Sequence, residues 1–202
     1  MTPLLHAGCF GTHETTNMQS FPKHTVKTAP EASRHMLEQA ERTMGFVPNL
    51  YAHLAEAPVV LEVYFALSAQ FQKTSLTAAE RQIVLLATSV ENGCEFCVAA
   101  HSMLALRMTG LSTDAVDALR AGADPTEPRL GALAKFTRAV VAQRGWIGDT
   151  GLAAFLVAGF SAQQALEVVL GVAMKTLSNY ANHLTRTETN PELSAFVWKR
   201  TV

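Results

Sequence analysis

Charge is scarce in this sequence, and neither sign prevails. Asp, Glu, Lys and Arg make up 16% of the 202 residues, 16 basic against 17 acidic, for a formal net charge of −1. That balance, with no clustering of Lys or Arg, excludes the basic surfaces that bind nucleic acid or an anionic membrane. Long apolar runs are missing too. None reaches the length of a membrane span, and the first twenty residues lack the basic start and apolar stretch of a signal peptide, so a cytoplasmic location is expected. Cysteine is rare. Three residues cannot build a structural disulfide framework, and in a reducing compartment a closely spaced pair points to catalysis or metal binding. Cys9, far from the pair in a polar stretch, reads as a bystander. No segment alternates apolar and polar residues over a useful length, which leaves β-structure out. What is abundant is apolar side chain, 49% of the chain, enough for one sizeable core and for surface buried between subunits.

Residues 1–25 are polar and aperiodic and read as a flexible leader, with a single domain over 26–202. From there the pattern is helical. An amphipathic helix runs from Glu31 to Met44 and stops at Gly45. A short helix follows over Pro48 to Ala57, then a longer one from Pro58 to about Lys73. Thr77 with Glu80 three residues later forms a capping box for a helix to about Val90. Its run of Ile83, Val84, Leu85, Leu86, Ala87 and Val90 covers most of the circumference, so it should be buried on nearly all sides. Asn92 with Glu95 looks like the cap of a helix from about Gly93 to Met108. Ser112 caps a short helix ending near Gly122, and a long one spans about Arg129 to Arg144. Asp149 or Thr150 caps a helix to Ala158, and Ser161 caps the last, to about Leu184. The fold class is all-α. A weak internal similarity, with Val84-Leu85-Leu86 on Val168-Val169-Leu170 and Phe96 on Tyr180, raises a duplicated helical hairpin as an option.

The chemistry concentrates in Cys94-Glu95-Phe96-Cys97 and His101. On a helix, spacings of i, i+3 and i, i+4 bring the two thiols and the imidazole to one face. A thiol becomes reactive as its thiolate, and two devices could lower its pKa. Cys94 lies at the helix start, where free N–H groups favour negative charge. Cys97 has His101 one turn on as a base. These residues alone leave open which thiol attacks and which resolves. A metal site is the chemical rival. The three groups would need a fourth ligand, and His183 is the candidate.

Leu76-Thr77-Ala78-Ala79-Glu80-Arg81, Asn92-Gly93-Cys94-Glu95-Phe96-Cys97 and Ala100-His101-Ser102 resemble the alkylhydroperoxidase D-like (AhpD-like) branch of the carboxymuconolactone decarboxylase family. Gly45-Phe46-Val47-Pro48-Asn49-Leu50 and Asn179-Tyr180-Ala181-Asn182 are similar to flanking motifs of its peroxidase-related members. The resemblance implies an AhpD-like helical bundle, assembly into homo-trimers or homo-hexamers, and thiol-dependent reduction of a hydroperoxide without cofactor or metal. It makes Cys97 the peroxidatic thiol, His101 its activator and Cys94 the resolving thiol, with a thioredoxin-like or adaptor protein as reductant. One position departs. The family's proton relay has a glutamate twelve residues before the first cysteine, and Gln82 stands there. An amide can orient a histidine but cannot relay a proton as a carboxylate does. Glu80, about 200° around the helix, belongs to the capping box. Two other carboxylates could compensate: Glu91, near in sequence although a solvated position also suits it, and Glu167, alone in the apolar stretch Leu166 to Ala173 and in need of a partner.

Two alternatives stand beside a thiol peroxidase. One is a decarboxylase or lactone-processing enzyme, as the family name suggests, whose activity would survive loss of both cysteines. The other is a non-enzymatic redox-sensing oligomer, which a weakened relay at Gln82 would suit.

Overall fold

The structure, a computed structural model, describes residues 21–200. Among these residues there are nine α-helices, a short 3-10 helix and no strand. The helices are α1 (Glu31–Met44), α2 (Asn49–Leu54), α3 (Pro58–Phe71), α4 (Ala78–Glu91), α5 (Glu95–Met108), α6 (Thr113–Arg120), α7 (Pro128–Ala142), α8 (Gly148–Val157) and α9 (Ala162–Thr185). The 3-10 helix, Pro191–Phe196, packs on α5 and was not anticipated. No single described helix is long and apolar enough to cross a membrane. The expected leader lies mostly outside the described residues, as does Cys9. Its last part is tied down, since the His24 backbone N–H donates to the Ala52 carbonyl of α2 (3.0 Å).

Helix α4 is the centre. It packs against α5, α6, α7 and α9, and Gln82 through Ser89 are all buried, as its unbroken apolar circumference requires. The hydroxyls of Thr88 and Ser89 are satisfied inside the helix, donating to the carbonyls of Val84 and Leu85 (both 2.7 Å). The Thr77–Glu80 capping box starts α4, and Glu80 also accepts from Arg129 Nε of α7 (2.8 Å). Ser161 with Gln164 forms a second capping box at the start of α9. Gly171 lets α9 approach closely. A Cβ there would lie 2.7 Å from both Phe71 Cζ of α3 and Val84 Cγ1 of α4. One turn further along α9 is Lys175.

Three local expectations are corrected. Asn92 does not cap α5; it closes α4, and its Nδ2 donates to Asn179 Oδ1 of α9 (3.0 Å). Gly93 turns the chain with φ +69°, so Cys94 becomes the N-cap and Glu95 the first helical residue, pairing with Lys199 (2.6 Å) instead of capping. The N-cap of α8 is Ile147, which leaves Asp149 in the first turn to face the helix dipole. Finally, there is no second hairpin. α9 runs unbroken where the first copy would turn, because Thr176-Leu177-Ser178 stand in place of Asn92-Gly93-Cys94 and supply no glycine.

Candidate active site

Three helices, α4, α5 and α9, build the site around the start of α5. Cys94 is the N-cap, Cys97 lies in the first turn, and His101 is one turn deeper. Helix α9 lays Lys175, Ser178 and Asn182 across them, at i, i+3 and i+7 on its buried face. Lys175 is 0% exposed, and both thiols are 1% exposed. Its Nζ lies 3.1 Å from Cys97 Sγ and 3.0 Å from His101 Nε2, a donor to both. Asn182 Nδ2 donates to Cys97 Sγ (3.2 Å) and reaches Cys94 Sγ (3.5 Å), while Ser178 Oγ is 4.0 Å from Cys97 Sγ. From α4, Gln82 Oε1 is 3.0 Å from His101 Nδ1. A carboxamide oxygen only accepts, so Nδ1 carries the ring proton and Nε2 presents its lone pair to Lys175.

A buried ammonium needs a negative partner, and the sulfur beside it is the one available. Burial works against charge on Cys97. The hydrogen bond from Cys94, the Lys175 ammonium and Ser178 outweigh it, and the pKa falls from the ordinary 9.0 to about 5. Cys94 moves the other way: its hydrogen bond to Cys97, then burial, hold its proton on. For His101, burial first and then the neighbouring Lys175 charge push the pKa well below 6.5, leaving a neutral imidazole. The arrangement places an ammonium beside the Cys97 sulfur, with a second thiol hydrogen-bonded to it.

A cavity of about 70 Å³ leads to Cys97, His101 and Lys175. Its other walls are apolar, among them Phe46, Tyr51, Tyr64, Phe96 and Met103. Burial, then the neighbouring ring, keeps the Tyr51 phenol protonated; burial first does the same for Tyr64.

Cys94, Cys97, His101 and Gln82, expected together from the sequence, are together. Glu167 is not with them. It accepts from Ser75 N (3.0 Å) and Ser75 Oγ (2.8 Å) in the α3–α4 loop, with Gln163 Nε2 on its other side (2.8 Å), and these bonds outweigh burial to lower its pKa. Its carboxylate ties down that loop, away from Gln82 and the thiols. Glu80 stays in its capping box and Glu91 is exposed. His101 does not touch Cys97 as a base, since Lys175 stands between them. The same ammonium fills the position from which a metal would bind both groups, and His183 is exposed, stacked on Tyr180. Lys175 and Asn182 are the residues the sequence reading missed. The signal was the spacing Val168, Gly171, Lys175, Ser178, Asn182, which puts a lysine in the middle of a face otherwise made of small and apolar side chains.

The described residues form an all-helical bundle with a C-x-x-C-x-x-x-H buried at a helix start. The sequence profile of the carboxymuconolactone decarboxylase family matches residues 58–139, which span α3 to α7 and include both thiols. Among solved structures, the alkylhydroperoxidase AhpD core of a peroxidase-related protein from Ralstonia eutropha JMP134 is 25% identical, with a TM-score of 0.76 over 86% of this chain and 93% of that one. A peroxidase-related protein from Silicibacter sp. TM1040 shares the fold at 18% identity, with a TM-score of 0.73 over 92% and 97% of the two chains. So does the debrominase Bmp8, solved with 2,3,4-tribromopyrrole, at 15% identity and a TM-score of 0.72 over 90% and 96%. No curated protein matches by sequence. These matches support an AhpD-like assignment within the carboxymuconolactone decarboxylase family, carried by residues 58–139 and by the shared fold.

Proposed function

We propose that the protein reduces small apolar hydroperoxides through its thiol pair, with Cys97 attacking and Cys94 resolving. The observation that carries this reading is Lys175, hydrogen-bonded to Cys97 Sγ and His101 Nε2 at the polar end of an otherwise apolar cavity. The Cys97 thiolate attacks the terminal oxygen of ROOH, the O–O bond breaks, and Cys97 becomes a sulfenic acid. The departing alkoxide takes a proton from Lys175 and leaves as alcohol. That transfer removes a positive charge just as its anionic partner disappears, so no unpaired ammonium is stranded in the core. Neutral His101, held by Gln82, keeps the amine in position through Nε2. Cys94 then attacks the sulfenic sulfur, its proton leaves with the hydroxyl as water, and the disulfide closes. One hydroperoxide and two thiols become one alcohol, one water and one disulfide. An external thiol restores the pair.

Titrating the reduced protein with a small alkyl hydroperoxide tests the reading. One peroxide should be lost for every two thiols, with one alcohol released, and peroxide loss with both thiols intact would overturn it. A second reading, reductive dehalogenation, is favoured by one feature, the aromatic lining of Phe46, Tyr51, Tyr64 and Phe96, and by the fold shared with Bmp8. Bromide release from a bromopyrrole in place of peroxide loss would select it. Assembly of several copies suits the exposed apolar line Leu166, Val169, Tyr180 and Leu184 on the outer face of α9, and light scattering would measure it.

A further inference from the structure

Asn182 serves both sulfurs through Nδ2, yet its Oδ1 is buried with no hydrogen-bond partner among the described residues. Asn182 is 4% exposed, and one turn back on α9 Asn179 Nδ2 is a buried donor that also lacks a partner. A second cavity is bounded by Asn182 and Cys94 but not by Cys97. Its volume is about 340 Å³, within the range of small-molecule sites. Its rim is basic. Arg186, Arg200 and His183 line it, and neither arginine enters an ion pair among the described residues. The one carboxylate on the rim, Glu95, is already paired with Lys199. Arg200 lies across Gly93, next to Cys94, in room that only a glycine leaves: a Cβ there would be 2.8 Å from Arg200 Cδ. Each thiol therefore has its own cavity, apolar at Cys97 and cationic at Cys94.

We propose that the cleft at Cys94 binds a small thiol carrying carboxylate groups, and that this thiol reduces the oxidised pair. The proposal rests on the thiol-pair reading above. Carboxylates of the incoming molecule pair with Arg186 and Arg200. Its thiolate attacks Cys94 Sγ, the Cys94–Cys97 bond breaks, and Cys97 leaves as the thiolate beside Lys175. The proton lost by the thiol returns Lys175 to its ammonium form. A second molecule attacks the sulfur of the mixed disulfide, releasing the external disulfide and the Cys94 thiol. Two external thiols are oxidised for each protein disulfide reduced. Cys94 lines the cleft and is 1% exposed, a recess that a small thiol enters more readily than a cysteine on the surface of another protein.

The test starts from protein oxidised with diamide, so that it does not depend on hydroperoxide being the physiological oxidant. Stopped-flow reduction is followed with mercaptosuccinate, 2-mercaptoethanol and cysteamine, rates being corrected for thiolate fraction. Mercaptosuccinate should react about 10-fold faster than 2-mercaptoethanol, with cysteamine slowest, as a cationic cleft demands. In the double variant Arg186→Ala/Arg200→Ala, checked for native helix content, the preference should shrink to within about 2-fold, and high salt should shrink it likewise. Equal rates for the three thiols, a preference that survives the double variant, or reduction by a thioredoxin-like protein alone would each overturn the proposal. Failure of hydroperoxide to oxidise a protein that diamide oxidises would instead count against the proposed substrate.

Discussion

Cys94 and Cys97 are separated by two residues, yet they occupy opposite environments. Cys97 sits in the first turn of α5, in contact with Lys175 and Asn182, at the end of an apolar cavity. Cys94 is the N-cap, touched only weakly by Asn182, at the floor of a cleft rimmed by arginines. The same side chain becomes a stabilised anion in one place and a retained thiol in the other. Roles in a dithiol pair follow from what surrounds each sulfur, as they do for paired carboxylates of unequal acidity. Here the difference comes from the hydrogen bond between the two thiols together with Lys175 and Ser178 of α9.

Removing each sulfur in turn breaks the comparison most sharply. Cys97→Ser should lower the rate of hydroperoxide consumption by about 1,000-fold or more, since the attacking atom is gone. Cys94→Ser should still consume one peroxide per protein and then stop, with a sulfenic acid at Cys97 visible by mass spectrometry. Equal loss in the two variants would contradict the division of roles. A smaller effect is expected at Gln82. Gln82→Leu strands the His101 Nδ1–H and frees the ring to turn, which should cost about 1–3 kcal/mol in stability. It should also slow the oxidation step about 10-fold, as a displaced orienting group does. Chemical denaturation and single-turnover kinetics would measure the two effects separately, and unaltered kinetics would remove Gln82 from the site. The smallest effect belongs to Glu167. Glu167→Gln should leave thiol oxidation within about 2-fold of the parent and lower stability by about 1 kcal/mol or less, through its bonds to Ser75. A shifted pH profile in that variant would return Glu167 to the site.

Glu167 and Lys175 also show how far the sequence could be read. Both are charged residues on α9 among apolar neighbours, and the rule that a buried charge needs a partner applies to either. Glu167 drew attention because a carboxylate was missing at Gln82. It faces the rim, where Ser75 satisfies it. Lys175 lies on the stripe with Val168, Gly171 and Asn182, and helical periodicity alone would have turned it inward. What periodicity does not contain is the meeting of α9 with α5. That depends on the close approach at Gly171 and on the four helices packed around α4. The helices themselves were legible, because capping boxes at Thr77 and Ser161 and the stop at Gly45 are local signals. The start of α5 was misread by two residues, because Asn92 found Asn179 across the bundle, a contact no local pattern records.

The central claim is that an ammonium, and not the imidazole, holds the Cys97 thiolate. Thiolate absorbance followed against pH in the parent protein, Lys175→Met and His101→Gln measures it directly. A lowered thiol pKa means that the anion persists above the midpoint and is lost as pH falls through it. The parent protein should therefore lose its thiolate signal near pH 5. In Lys175→Met the midpoint should rise by about 2 units or more, toward that of an ordinary thiol. In His101→Gln it should stay near the parent value. A midpoint unmoved by Lys175→Met and raised by His101→Gln would contradict the account and return the base to the histidine.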